Sequence, residues 1–335
     1  MRKNGFCFVL QHCPNTTPAG IPIGDMSSEQ KDSMHSFLAE VTGTAGYHKL
    51  QAILDSEALL KPIENWHRDK KHLFYGVNEN GEDWNPGHPR EIGRYHIAFF
   101  GDVSSSTSWA VRFEGHHLLF YVQFHRDKKD NKIYATYSPM FMGISPQRVL
   151  SVDDKHDKDL GTSDIIGRRA LHKEYNLARR LIESLTDKQR ESSKYAQTPG
   201  STLDGGLDQN VKYYEKDGIS FKLLSKVQRQ SATDILHEFI EVSARHIIDE
   251  ERLESSLSQA NISWSGDYTE PVTAPFYFRM ESPEFLIEIL SMVAYSSTPL
   301  TYNKGHMANH LHTVFRDYRY DWEYDPLKNH VKHYH

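Results

Sequence analysis

Apolar residues recur at helical spacing in two stretches of the chain, and one polar signature opens several helical segments. The first stripe consists of Ala232, Ile235, Leu236, Phe239, Val242 and Ile247, and the second of Leu171, Ala178, Leu181, Ile182 and Leu185. A hydroxyl side chain stands three residues before a glutamine in Ser27–Gln30, Thr186–Gln189 and Ser225–Gln228, which is the pattern of a capping box. Spacing and caps together predict amphipathic helices that pack on a core.

Segments rich in aromatic and β-branched residues predict strands in two groups. They are Tyr95–Phe100, Trp109–Phe113, His117–Phe124 and Tyr134–Ser138, followed by Phe276–Met280, Phe285–Leu290 and His310–Phe315. No internal repeat is evident. Strands clustered between helical groups predict an α+β fold, with a mostly antiparallel sheet that carries the histidine motifs and is flanked by amphipathic helices.

The length of the chain allows a single large domain or two closely packed lobes, because 335 residues with 38% hydrophobic content can bury a sizeable core. The lobes would span about 1–150 and 165–325, joined by the charged loop at 151–164. A second connection is predicted at 198–218, and the long loop at 66–90 is a candidate lid.

Charge and apolar content argue against two classes of partner. Lysine and arginine number 39 against 45 acidic residues, a net charge of −6 without a basic block, so nucleic-acid binding is not expected. No stretch approaches the roughly 20 apolar residues of a membrane helix, and the N-terminal apolar run is too short for a secretory signal. A cytoplasmic protein without membrane contact is therefore expected. Cys7 and Cys13 lack metal-site spacing, which leaves nitrogen and oxygen as ligands of any metal.

Histidine is the unusual residue, with 20 in the chain, and the first motif of interest is Trp109–Leu118. Strand alternation would place Arg112, Glu114 and His116 on one face and His117 on the other. A bulge at Gly115, just before the two histidines, would let both of them face one cavity. Without it, only one of them can be a ligand.

The second motif is Asn309–Asp317, in which His310 and His312 are two residues apart on a predicted strand. Their side chains point the same way, an arrangement suited to zinc, iron or copper. Asp317 could complete a set of two histidines and one carboxylate. We predict that the two histidine motifs lie on adjacent strands and form one metal site, with His116, His117, His310 and His312 as candidate ligands.

Charged residues also follow the strands between these motifs. Arg279 and Glu281 share a face, and Glu288 stands among apolar residues, so the three form either a buried ion-pair network or part of the site. In the second case Arg112, Arg279 and Arg316 are candidates to bind an anionic group of a small-molecule substrate, because guanidinium offers paired donors to a carboxylate.

Four ordered motifs resemble an uncharacterised bacterial family, the domain-of-unknown-function family numbered thirty-five hundred. They are Trp109–Leu118, Ser138–Pro146, Phe276–Ile289 and Asn309–Asp317, and the resemblance extends from about Gln30 to Trp322. It implies that His116, His117, His310 and His312 belong to a site shared by the family. The family supplies no reaction.

The motifs of nucleotide-binding proteins, zincin proteases and α/β hydrolases are absent from the sequence. The leading hypothesis is a metal-dependent oxidoreductase that holds one iron or copper ion and uses dioxygen or a peroxide to oxidise a small anionic molecule. A zinc hydrolase with Glu114 or Asp317 as general base is the first alternative. The second is a non-catalytic protein that binds an anionic ligand.

Overall fold

A computed structural model describes residues 19–69, 91–104, 108–126, 131–149, 158, 167, 169–195, 203, 217–244, 247–269, 275–293, 308–318 and 321. Most of the predicted loop at 66–90 and of the connections at 151–164 and 198–218 lies outside these ranges, as do both cysteines. Within the described ranges, none of the helices combines the length and the apolar character needed to cross a membrane.

The α+β prediction is confirmed, because helices accompany one ten-stranded antiparallel sheet. The strands are β1 (Ile21–Pro22), β2 (His96–Gly101), β3 (Ser108–Gly115), β4 (Leu118–Arg126), β5 (Ile133–Ile144), β6 (Ile219–Ser220), β7 (Asn261–Gly266), β8 (Phe276–Glu281), β9 (Phe285–Val293) and β10 (Ala308–Asp317). The helices are α1 (Ser28–Asp69), α2 (His172–Ser184), α3 (Asp187–Ser193), α4 (Lys226–Ile240) and α5 (Glu250–Ser256). Across the sheet the order is β1-β2-β3-β4-β5-β10-β9-β8-β7-β6.

The predicted helix starts are confirmed at the level of single hydrogen bonds. The backbone N–H of Ser27 donates to Oε1 of Gln30 at 2.9 Å, and the N–H of Gln30 donates to Oγ of Ser27 at 3.3 Å. The same reciprocal pair caps the helices that follow Thr186 and Ser225. The sequence does not predict β7, because most of that short segment is polar.

Strand alternation divides the sheet into two faces of different character. On one face Phe113, Phe120, Leu311 and Phe315 belong to the main core, which they share with the apolar stripes of the helices. The intervening residues of the central and later strands point to the opposite face. That face is also buried, yet it carries charge: the side chains at 3% exposure or less include Arg279, Glu281, Glu288 and Arg316.

The two halves of the sheet repeat one arrangement, which corrects the expectation that the chain has no internal repeat. Each half opens with a glycine at positive φ, Gly20 at 102° and Gly218 at 103°, and adding a Cβ to either would bring it within 2.2 Å of a neighbouring carbonyl oxygen. Next come a short strand, a 3-10 turn and a capped helix, then four antiparallel strands, β2–β5 in one half and β7–β10 in the other.

Backbone contacts at the hairpin turns match between the halves. The N–H of Gly143 donates to the carbonyl of His117 at 2.7 Å, and the N–H of Tyr318 donates to the carbonyl of Glu284 at 2.8 Å. Strands β5 and β10 pair antiparallel at the centre, so the β3–β4 turn and the β8–β9 turn lie at opposite ends of the sheet. The repeat is not visible in the sequence, because the two halves share their order of elements and their backbone hydrogen bonds but not their residues.

Candidate metal centre

The first histidine pair lies in a turn and not within a strand, which corrects the predicted alternation through Leu118. Strand β3 ends at Gly115 and β4 begins at Leu118, and these two residues face each other in the antiparallel register. His116 and His117 therefore form the turn itself, with ring centroids 3.8 Å apart. The tight turn, with no bulge, turns both rings toward the same region.

The second histidine pair meets the first across the sheet. His312 is directly opposite Gly143 of β5, and Gly143 in turn is hydrogen-bonded to the backbone of His117. The motifs are thus brought together as predicted, but β5 lies between their strands, so the prediction of adjacent strands is wrong. Gly143 makes the approach possible: an added Cβ would lie 2.8 Å from Cδ2 of both rings.

Three imidazoles converge at this point. Nε2 of His117 is 3.0 Å from Nε2 of His310, and the rings of His310 and His312 have centroids 4.4 Å apart. One nitrogen from each of the three residues lies within 4.8 Å of the others. Ligand nitrogens about 2.1 Å from one ion are separated by roughly 3.0–3.4 Å, so these positions suit a shared ion after small ring movements.

The electrostatics of His312 favour a neutral ligand. Burial, together with repulsion from His116, lowers the pKa of His312 to about 3. The imidazole is therefore uncharged at neutral pH, and neutral imidazole is the form that binds a metal. Phe141 packs against the ring, with centroids 5.0 Å apart, and limits its movement.

Glu57 of α1 also belongs to this region, and the sequence analysis missed it. Its carboxylate is 1% exposed and lies 2.9 Å and 3.2 Å from Nδ1 of His116, and 3.6 Å from Nδ1 of His117. A signal existed: Glu57 continues the apolar helical stripe of Leu50 and Leu54. A carboxylate on a buried stripe requires partners.

Glu114, a predicted catalytic residue, lies on β3 and pairs with Arg112 at 2.9 Å. Burial raises the pKa of Glu114, while Arg112 opposes that effect. The same pair occurs at the corresponding place in the other half, where Nη2 of Arg279 is 2.7 Å from Glu281. Since an Arg–X–Glu pair recurs on β3 and β8, its presence at the histidine end reflects the repeated architecture.

Arg279, a predicted substrate-binding residue, is surrounded by acidic groups. Besides Glu281, its Nη1 contacts Glu288 at 3.1 Å, and the hydroxyl of Tyr277 donates to Glu288 at 2.5 Å. Burial raises the pKa of Tyr277, and the neighbouring Glu288 raises it further. The geometry is that of the buried ion-pair network considered from the sequence.

Asp317 and Arg316 are not brought to the histidines. Asp317 is five residues beyond His312, about 16 Å along a strand, and alternation turns it to the other face, where it contacts Arg252 of α5. Asp317 therefore cannot complete the predicted ligand set. Arg316 is fully buried and its Nε donates to Asp321 at 2.7 Å.

Two further groups of suitable ligands occur among the described residues: Glu57, His116 and His117 form one, which shares His117 with the three-histidine group, and the other lies at the surface. The surface group consists of His237, Glu250 and Glu254, which are partly or fully exposed and already paired as a histidine with two carboxylates. Because it lies at the surface, this group offers a control for nonspecific metal binding.

A family model described as "Protein of unknown function (DUF3500)" matches residues 9–324. Comparison with curated proteins and with solved structures finds no match.

Proposed function

This chain belongs to the DUF3500 family of proteins of unknown function, and we propose that it is a metal-dependent oxidoreductase with a mononuclear centre held by His117, His310 and His312. The observation that carries the proposal is the convergence of three imidazole nitrogens within 4.8 Å, one from the β3–β4 turn of the first half and two from β10 of the second half. Three protein nitrogens with further positions left for small molecules is the arrangement of a catalytic rather than a purely structural centre.

The donor set fits iron or copper, with zinc as the alternative, because neutral imidazole suits all three ions and no thiolate takes part. When bound, iron or copper would supply the electron transfer through which dioxygen or a peroxide oxidises a small molecule. The protein positions the ligands: His310 and His312 are held on β10, His117 is held in the turn, and Phe141 packs against the ring of His312. Preorganised ligands lower the entropy cost of binding.

The positions of Glu114 and Asp317 argue against the zinc hydrolase in the form predicted from the sequence. A hydrolase of the kind considered needs Glu114 or Asp317 as general base. Asp317 is turned to the other face and bound to Arg252, and Glu114 is paired with Arg112. The arginines predicted to bind an anionic substrate are likewise each paired with a carboxylate, which removes the main reason for expecting an anionic substrate.

Metal content tests the centre directly. Protein produced without a histidine tag should carry about one iron or copper ion per chain by elemental analysis, and His312→Ala should abolish it because a ligand is lost. Two matched controls should retain the metal: His237→Ala, in the surface group, and deletion of residues 329–335, which removes the three histidines of the C-terminal tail.

The redox assignment needs a separate measurement. Protein loaded anaerobically with iron(II) should bind nitric oxide, a stand-in for dioxygen, and give a new electron paramagnetic resonance signal that His312→Ala lacks. Stoichiometric zinc in the purified protein, with hydrolytic activity, would instead favour the hydrolase. A metal-free protein that binds an anion with its fold intact would identify the non-catalytic alternative.

A further inference from the structure

We propose that Glu57 is the positioning residue of this centre: its carboxylate faces Nδ1 of His116 and of His117 and so directs Nε2 of His117 toward the metal and His310. The inference rests on the proposed metal centre and extends it to a residue outside the ligand set. It also gives His116 a role, as the neighbour that shares the carboxylate and stacks on His117 rather than as a fourth ligand.

The two nitrogens of His117 face different groups. Nδ1 is 3.6 Å from Oε2 of Glu57, while Nε2 is 3.0 Å from Nε2 of His310. An imidazole that carries its proton on the side of a carboxylate presents a lone pair at the other nitrogen, and carboxylate–histidine–metal chains of this kind are common in metalloproteins. The orientation of His117 is therefore the one in which Glu57 is an outer partner and His310 an inner one.

His116 fixes the carboxylate in place. Its Nδ1 lies 2.9 Å and 3.2 Å from the two oxygens of Glu57, so Glu57 cannot rotate away without losing both contacts. The ring of His116 is 3.8 Å from that of His117 and packs against it. Helix α1 thus holds both turn residues through one side chain.

The other end of the sheet has a corresponding contact between a helix and a turn, with the charges reversed. There Arg252 of α5 contacts Glu284 of the β8–β9 turn, whose carbonyl accepts from Tyr318 as that of His117 accepts from Gly143. A helix side chain bound to this turn is thus a general feature of the fold. An acid in the helix facing histidines in the turn is specific to the histidine end.

Cobalt(II) titration of tag-free, metal-depleted protein tests the role of Glu57, since cobalt(II) reports its ligands through visible absorption. Glu57→Gln should weaken cobalt(II) binding about 10-fold and Glu57→Ala about 100-fold, the range expected for outer partners of metal ligands. The amide keeps an acceptor of the same shape and so rescues part of the loss. Glu284→Gln, the same change at the other end, should leave the affinity unchanged.

Melting temperatures of the metal-free proteins show whether each variant is folded, and the outcomes separate the two proposals. Wild-type affinity in both folded Glu57 variants would overturn the role of Glu57 and keep the centre. Two ions in the wild type and one in Glu57→Ala would make Glu57 a ligand of a second metal and also overturn the inference. Absence of cobalt(II) binding that depends on His312 would overturn the centre and the inference together.

Discussion

The two ends of the central strands have the same backbone contacts and opposite kinds of side chain. At one end His117, His310 and His312 converge, and at the other Arg252 is bound to Glu284 and Asp317. We call the end with Arg252, Glu284 and Asp317 the ionic end and the end with the three histidines the histidine end. At the ionic end the charges are paired in salt bridges between a helix, a turn and a strand. The histidine end instead directs imidazole nitrogens toward one another.

The ionic end shows that this architecture does not require histidines at its hairpin turn. Side chains of opposite charge stabilise the equivalent junction, where both carboxylates are bound to Arg252. Two adjacent imidazole nitrogens 3.0 Å apart gain little from each other, because only one hydrogen bond can link them. This contrast supports the proposal that the cluster binds a ligand.

The largest effect is expected where the charged network is broken on the polar face. Arg279→Met should destabilise the protein by about 3–5 kcal/mol, since it leaves Glu281 and Glu288 buried without their cation. Metal content should not change. Chemical denaturation measures the loss, and Arg112→Met, the matched change at the histidine end, should cost less because Glu114 is less buried than Glu281.

An Arg279→Met protein of wild-type stability would contradict the network and return Arg279 to consideration as a substrate-binding residue. In that event activity, once an assay exists, would fall while the melting temperature stayed constant.

An intermediate effect is expected at Gly143, the glycine that allows the rings of His117 and His312 to approach each other. Gly143→Ala places a methyl group 2.8 Å from both His117 and His312, so the rings must move apart and metal affinity should fall about tenfold or more, which corresponds to about 1.4 kcal/mol. Gly93→Ala is the control, because its Cβ would meet its nearest neighbour at 3.4 Å. Unchanged cobalt(II) affinity in folded Gly143→Ala would show that metal binding does not depend on the present spacing of the His117 and His312 rings.

The smallest effect concerns pH, and only the histidine end should show it. In the folded protein burial lowers the pKa of His312 to about 3, whereas the unfolded value is about 6.5. The unfolded chain therefore binds more protons between these values, and metal-free protein should lose stability as the pH falls below about 6.5, by about 1 kcal/mol between pH 6.5 and 5.5.

Denaturation of metal-free wild type and His312→Gln at several pH values isolates this contribution, since glutamine does not titrate. Parallel pH profiles for the two proteins would show that His312 is not the group responsible.

Local patterns predicted the helix caps, most of the apolar stripes and most strands because each depends on residues close in sequence. Val242 and Ile247, placed on a helical stripe, lie beyond the end of α4 at Ile240. The capping pairs at Ser27, Thr186 and Ser225 need three residues of chain. The histidine motifs were found because imidazoles two residues apart on a strand are a local signal. The role of each charged residue depends on long-range pairing, and for that reason the sequence could not place Asp317 beside Arg252.

Glu57 and Gly143 also have roles that depend on contacts with residues distant in sequence. Glu57 acts on a turn nearly sixty residues later, and Gly143 matters only because β5 separates the two histidine strands. A buried acid on a helical stripe and a glycine inside a strand are both visible in the sequence, but neither reveals its partner.

The proposed ligands of the centre come from both halves of the chain, and this has a consequence for biosynthesis. His117 belongs to the first half, while His310 and His312 lie on β10, which follows the other described strands of the sheet in chain order. A growing polypeptide cannot assemble the three ligands until β10 has emerged from the ribosome and closed against β5. Acquisition of a metal would therefore follow completion of the sheet, and a truncated product lacking β10 would be unable to capture the ion.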